Sequence, residues 1–440
     1  MKIAVIISLL VCSLSSFGQG TQDVKKQWTL EDCFAYAKEK NISIKTAALS
    51  KDAASVNYEQ SKSSRLPNLN GSASQNLSFG NSIDPITSDY VSQKVNSTSL
   101  GISSAVTLYQ GSTISNQIKQ NKLLVDQNSM FVEEAQNNVI LSITEAYIQI
   151  LYNKEGINVA ENNLKASEKE VQRAKLRLDA GTVARKDYTD ALSQAATNKY
   201  NLIAAQNDLT KQVLILKQLL ELGPDQDFEI AIPLESNAAE VIPNKIEVYN
   251  TAISKMPEIK ASQLNVAVSQ KELDIAKGGY LPTLSLSGSL GSGYTNTQDL
   301  SFSDQLNLNF NQRVGLSLSV PIFNRNQTKA QVQNAKISID KAQIDLQTAQ
   351  KDLYKKIQTA WENATASSEQ LVSAQSAKEA AEESYSLAQK KYELGALSTT
   401  DLVISQNTYT NTAQNFIQAK YLKILYTQLL AFYQGNEIKI

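Results

Sequence analysis

The 440-residue sequence predicts a mainly α-helical chain with a small transmembrane β part, made of duplicated helical hairpins plus four strands per chain. Three observations carry this reading: an internal repeat, long proline-free stretches with heptad spacing, and four uncharged segments of alternating pattern. In the repeat, Gly181 and Gly395 each interrupt a helical pattern, and each is followed six residues later by an aspartate, Asp187 and Asp401. The two glycines are 214 positions apart, and the same offset relates Tyr147 to Trp361, Gly101 to Gly315 and Ala205 to Ala419. Leu66-Pro67-Asn68-Leu69 and Leu281-Pro282-Thr283-Leu284 stand 215 apart, so a single insertion or deletion lies between. Self-similarity at a fixed offset marks a duplicated architecture rather than two unrelated domains.

At the start, Met1-Lys2-Ile3 precedes an apolar run from Ala4 to Val11, and Ser16-Phe17-Gly18 places small residues at the −3 and −1 positions. Residues 1–18 are therefore expected to be a signal peptide cleaved after Gly18. The run is shorter than the roughly 20 residues a spanning helix needs. Cys12 follows Val11, a poor residue before a lipoprotein cleavage site. The mature chain then holds one cysteine, Cys33, in the stretch Trp28–Phe34 that reads as an opening amphipathic helix, where a buried structural thiol is expected. Export permits disulfides, and this fold does without one.

The chain has no histidine, which removes the commonest general base and metal ligand. Neither a GxxxxGK[ST] loop nor a GxGxxG fingerprint occurs. No catalytic residue, cofactor or metal site is expected, and the chain is read as not an enzyme. Lys plus Arg number 42 against 43 Asp plus Glu, so nothing draws it to nucleic acid.

The first repeat is assigned to residues 19–223, a joining equatorial segment to 224–243, and the second repeat to 244–440. The joining segment carries Pro224, Pro233 and Pro243. No proline falls between Gly111 and Gly223 or after Pro321. A proline inside a helix costs on the order of 3 kcal/mol, so these stretches are free to be long helices. Ile157, Ala160, Leu164, Ser167, Val171, Ala174 and Leu178 alternate spacings of three and four, and Leu371, Ala374, Lys378, Ala381, Tyr385, Ala388 and Tyr392 repeat the pattern. That is a coiled-coil seam. Its small residues suit a ring of helices in which each packs on two neighbours. A helix from about Ser112 to Ala180 spans roughly 100 Å.

Strands are expected at about 67–79, 98–109, 282–294 and 313–323. Leu284, Leu286 and Leu290 alternate with Ser285, Ser287 and Ser289; Val314, Leu316, Leu318 and Val320 alternate with Gly315, Ser317 and Ser319. Period-two alternation marks strands. The alternating stretches exclude charge, which stands outside them at Lys94, Asp299, Asp304 and Arg313. Phe79, Tyr109, Tyr280, Tyr294 and Phe323 sit near their ends. One apolar face, one small polar face and flanking aromatics match a membrane barrel. Four strands cannot close one, and an open strand edge in lipid is prohibitive, so the barrel must close between chains. The polar stretches Gly80–Ser97 and Thr295–Gln312 are read as loops on the outer face.

Taken in order, the duplicated halves, the Leu-Pro-x-Leu strand openings, the two glycine turns and the opening Trp28-Thr29-Leu30-Glu31-Asp32-Cys33 with Asn41-Ile42 resemble the TolC family of outer-membrane efflux proteins over the whole mature chain. The resemblance implies a homotrimer whose chains each give four strands to one barrel in outer-membrane lipid. Their helices form a long periplasmic tube ending at the turns around Gly181 and Gly395. A periplasmic adaptor (membrane fusion) protein docks there and links the channel to an inner-membrane pump. Pro67 and Pro282 are the expected helix-to-strand junctions. The family's gate uses a tyrosine before the glycine and an arginine and two aspartates after it. Tyr392 matches the tyrosine and Asp401 the first aspartate, but Leu397 stands at the arginine position and Ile404 at the second aspartate. Half the polar lock is missing, and packing by Leu397 or Ile404 would have to substitute.

The function this implies is a passive exit duct of a tripartite efflux or type I secretion system in the outer membrane. The alternative from another class is an exported coiled-coil structural or adhesin-like stalk, which gives no reason for charge-free strands. A periplasmic adaptor would show one hairpin flanked by small β-domains. The bland reading of Asp187 and Asp401 is that each carboxylate favours a helix N-terminus; the functional one places Asp401 in an acidic ring at the pore entrance.

Overall fold

The computed structural model describes residues 27–83, 90–233 and 241–440. The expected signal peptide, and residues 234–240 of the joining segment, lie outside them. The first repeat runs β1 (Gln27–Trp28), α1 (Leu30–Lys40), α2 (Ile42–Ser63), β2 (Asn70–Ile83), β3 (Tyr90–Gln110), α3 (Thr113–Asp179) and α4 (Arg185–Leu219). After β4 (Glu229–Ile230), the second repeat follows as α5 (Lys245–Lys255), α6 (Pro257–Gly278), β5 (Thr283–Thr295), α7 (Phe302–Leu308), β6 (Asn311–Ser319), α8 (Gln327–Glu393) and α9 (Thr399–Tyr433). The long helices α3 and α8 have 67 residues each, about 100 Å, and α4 and α9 have 35 each. Among the described residues no helix is long and apolar enough to cross a membrane.

The cap chemistry is local. Thr29 and Asp32 form a reciprocal capping box at the start of α1. Asn41 ends α1 and caps α2 by accepting from the amides of Ser43 and Ile44. At the strand-to-helix corners, Gly111 and Ser112 (φ 55° and 62°) and their counterparts Arg325 and Asn326 (φ 55° and 63°) take two successive left-handed conformations.

The core is duplicated too. Cys33, Ala37 and Ile44 pack with Ile143, Ala146 and Leu216; Val248, Ala252 and Ile259 pack with Ile357, Ala360 and Leu430 at the equivalent places. Cys33 is buried, as expected. Beside each core an aromatic polar atom secures an adjoining segment: Tyr147 Oη donates to the Ala231 carbonyl at 2.6 Å, and Trp361 Nε1 to the Pro243 carbonyl at 2.9 Å. These bonds satisfy polar atoms that would otherwise be buried at a cost.

The four long strands form one antiparallel sheet in the order β2-β3-β5-β6. Its register gathers Ala73 beside Leu100, Ile102 beside Leu290, Val106 beside Leu286, and Leu286 beside Leu316 on one face. The other face pairs Ser72 with Gly101, Ser287 with Gly315 and Ser289 with Arg313. Val314, Leu316 and Leu318 are 81%, 66% and 63% exposed, which water does not reward and lipid does. The strand ends correct the sequence reading. β2 begins at Asn70 and runs to Ile83, and β3 reaches back to Tyr90, so most of the stretch read as the first outer loop is strand. Lys94 and Arg313 lie within strands rather than beyond them. Lys94 sits opposite Phe79 with its ammonium 5.4 Å from the ring, while Arg313 falls on the small polar face. The second stretch read as a loop contains α7, tied down by the buried side chain of Gln305, which bonds the Thr295 amide and carbonyl.

Candidate functional site: the hairpin tips

The two tips farthest from the sheet are the turns of the α3/α4 and α8/α9 hairpins. Gly181 and Gly395 adopt φ +71° and +75°, and nothing lies within 4 Å of where a Cβ would be. Backbone conformation, rather than crowding, therefore favours glycine at both turns. Each closes as a Schellman motif: Gly395 N donates to Tyr392 O and Ala396 N to Lys391 O, as Gly181 N does to Leu178 O and Thr182 N to Arg177 O. Past the turns, Asp187 accepts from the Ala184 amide at 3.2 Å. Ser398 caps α9, its Oγ accepting from the Asp401 amide at 3.1 Å and donating to the Asp401 carboxylate at 2.7 Å. Both aspartates thus take part in capping the returning helices, Asp187 by accepting the Ala184 amide and Asp401 through Ser398.

The gate candidates do not converge within one chain. Tyr392 is 3% exposed, and its hydroxyl lies 3.4 Å from Thr399 Oγ1, not at Asp401. Leu397 is half-buried, whereas Ile404 is 59% exposed and Leu394, at the turn itself, 84%. Pro67 lies between α2 and β2, and Pro282 directly precedes β5.

Sequence reasoning missed the groups that join the two tips. From α3, Arg177 donates to the carbonyls of Tyr392 and Glu393 at 3.1 and 3.0 Å, with its guanidinium 5.2 Å from the Tyr392 ring. Those carbonyls belong to the last turn of α8, which has no onward helical partners. One turn up, Arg173 bridges Glu170 at 2.8 Å and Glu393 at 3.0 Å. Glu170 Oε2 is buried without a hydrogen-bond partner among the described residues. Burial holds its carboxyl above the usual range, against the opposing pull of Arg173. Beyond it Tyr385 stacks on Tyr409, ring centroids 5.8 Å apart, and burial pushes the Tyr385 hydroxyl up to about 12. Higher still, Asn163 joins α3 to both short helices of the seam: its amide donates to Thr410 Oγ1 of α9, and its carbonyl accepts from Asn198 of α4 and Gln406 of α9. The one available signal was asymmetry between repeats, since Arg173 and Arg177 answer to Leu387 and Lys391.

The sequence pattern of the family described as outer membrane efflux protein matches residues 35–221 and, a second time, 248–434. The chain is 22% identical over 315 residues to the outer membrane protein TolC of Vibrio cholerae, covering 70% of this chain and 68% of that one. It is 24% identical over 343 residues to TolC of Escherichia coli, covering 76% of this chain and 65% of that one. It thus spans about two thirds of each relative. The CmeC outer membrane channel of Campylobacter jejuni has the same fold, with TM-score 0.80 at 19% identity, covering 93% of this chain and 87% of that one. The outer membrane protein VceC of Vibrio cholerae superposes with TM-score 0.78 at 16% identity, covering 93% and 97%.

Proposed function

Because the chain belongs to the outer membrane efflux protein family, we propose that three copies close one channel that serves as the passive exit duct of a tripartite efflux or type I secretion system. The family is one of ducts rather than enzymes, and its members reside in the outer membrane. The observation that carries the assembly is the sheet: one charge-poor apolar face, and two edge strands, β2 and β6, without a further strand partner among the described residues. Lipid tolerates no open edge, so the edges must meet those of other copies. The stalk alternative offers no use for such a face.

The duct needs no chemistry of its own; an inner-membrane pump supplies the energy and a periplasmic adaptor docks on the exposed turns at Gly181 and Gly395. In this reading the entrance is held in two ways. Arg177 ties the end of α8 to α3 inside each chain, and the exposed Ile404 packs between copies. Asp401, capped but solvent-facing, gives the entrance a ring of three carboxylates that favours cations.

The test is the native mass of detergent-extracted protein from the outer-membrane fraction. A mass of three chains supports the shared barrel; soluble, monomeric protein overturns it.

A further inference from the structure

The duplication assigns the contacts between copies residue by residue. Moving β2 by 215 positions and β3 by 214 turns their register into that of β5 and β6: Asn70 opposite Ser103 becomes Ser285 opposite Ser317, and Ala73 opposite Leu100 becomes Gly288 opposite Val314. The two hairpins are therefore the same object twice. The β3–β5 pairing is the junction between one hairpin and the next. In a closed ring, β6 meets the following copy's β2 through that same kind of junction.

We infer that β6 pairs with β2 of the neighbouring copy in the transposed β3–β5 register, placing Ser317 opposite Ser74 and Leu316 opposite Gln75. This rests on the reading that copies of this chain share one barrel. The source pairs are Ser103 with Ser289 and Ile102 with Leu290. Two observations outside the transposition agree with it. The assigned register sets Leu318 against Ala73 and Val314 against Leu77, keeping every apolar residue on the lipid face; a slip of one residue would turn them all to the small polar face. The helices below repeat the logic. Within the chain α6 lies against α3, where Gln127 Nε2 donates to the Ala261 carbonyl at 3.3 Å. The transposed junction is α8 against the next copy's α2. These two helices carry the unpartnered apolar stripes, Ile337 and Ile344 on one and Leu49 and Val56 on the other, all more than half exposed. The transposition predicts one departure. Gly111 and Gly278 approach so closely that a Cβ on either would clash, but their counterparts are Arg325 and Ser63, so the junction between copies stands wider at that corner.

Disulfide trapping tests it on the full-length protein in its membrane. Opposite residues in an antiparallel pair alternate between wide and close spacing, so of Ser317→Cys with Ser74→Cys and Leu316→Cys with Gln75→Cys, one pair sits at the spacing a disulfide prefers. Within a chain these residues stand on opposite edges of the sheet, about 14 Å apart, and cannot bridge. The inference expects a non-reducing ladder up to three chains from at least one of these pairs, several-fold stronger than from Ser317→Cys with Asn76→Cys. A protein of trimeric mass that links better through the offset pair, or through neither in-register pair, overturns the register alone. A monomeric mass overturns the shared barrel and the register with it.

Discussion

Arg177, at the end of one repeat's long helix, caps the other repeat's long helix by donating to the carbonyl of Tyr392 and lying over its ring. A planar guanidinium can serve two adjacent carbonyls and a ring face at once; an ammonium cannot. Arg177→Ala is expected to loosen the last turn of α8, costing about 1–3 kcal/mol locally, with Arg177→Lys intermediate. Hydrogen exchange at residues 390–396 reports it: protection should fall severalfold in the alanine variant. If Arg177 holds the entrance shut, single-channel conductance rises as well.

Gly395→Pro is expected to abolish export while leaving the barrel assembled. Proline cannot reach φ +75° and removes the amide that bonds Tyr392 O, a cost of roughly 3 kcal/mol or more confined to the tip. Gly395→Ala, with open space around it, should cost only about 1–2 kcal/mol. Normal export by the proline variant would remove this turn from the docking end.

The two roles of the second-repeat cap separate by mutation. Ser398→Ala should destabilise the start of α9 by about 1 kcal/mol without changing ion selectivity. Asp401→Asn should weaken the cation preference of reconstituted channels. Equal selectivity in both would leave Asp401 as a cap alone.

Glu170 gives the tip a pH dependence of definite sign. Its folded carboxyl is held above its unfolded value, so the folded state keeps a proton that the unfolded state releases. Stability from this site is present below the unfolded carboxylate range and is lost as pH rises through the folded value. The facing charges are Arg173 and Arg177, which oppose the shift, and Glu393, which reinforces it. Exchange protection of the α3 C-terminus, corrected for intrinsic rates, should therefore be higher near pH 5 than near pH 7.5. Glu170→Gln should flatten the difference, and the reverse trend in the wild type would mean the arginines dominate.

Much of this architecture is written in periodicity. Proline exclusion and three-four spacing are backbone-level constraints, so the expected helix from Ser112 to Ala180 differs from Thr113–Asp179 by a residue at each end. The strand ends are less legible because charge does not bound these strands. Lys94 lies within a strand with its ammonium over the ring of the opposite Phe79, a cross-strand relation that no linear pattern contains. The short α7 is not legible because seven residues show no period; only Ser301 and Asp304, three apart, mark its cap. At the tips, the turn glycines were legible because positive φ selects residue type. Arg173, Arg177 and Glu170 were not, because an arginine facing a neighbouring hairpin and one facing water look alike in sequence.

The unpaired edges of β2 and β6 also dictate an order of events in the protein's biogenesis. The helical hairpins are built from contacts between adjacent segments and can form within a single chain at any dilution. On the proposed shared barrel, the rim strands reach a satisfied state only when other chains supply the missing neighbours. Insertion should therefore slow steeply as expression falls. A chain waiting for its companions presents two bare hydrogen-bonding ladders to any passing strand, so scarcity and crowding threaten this protein at the same step.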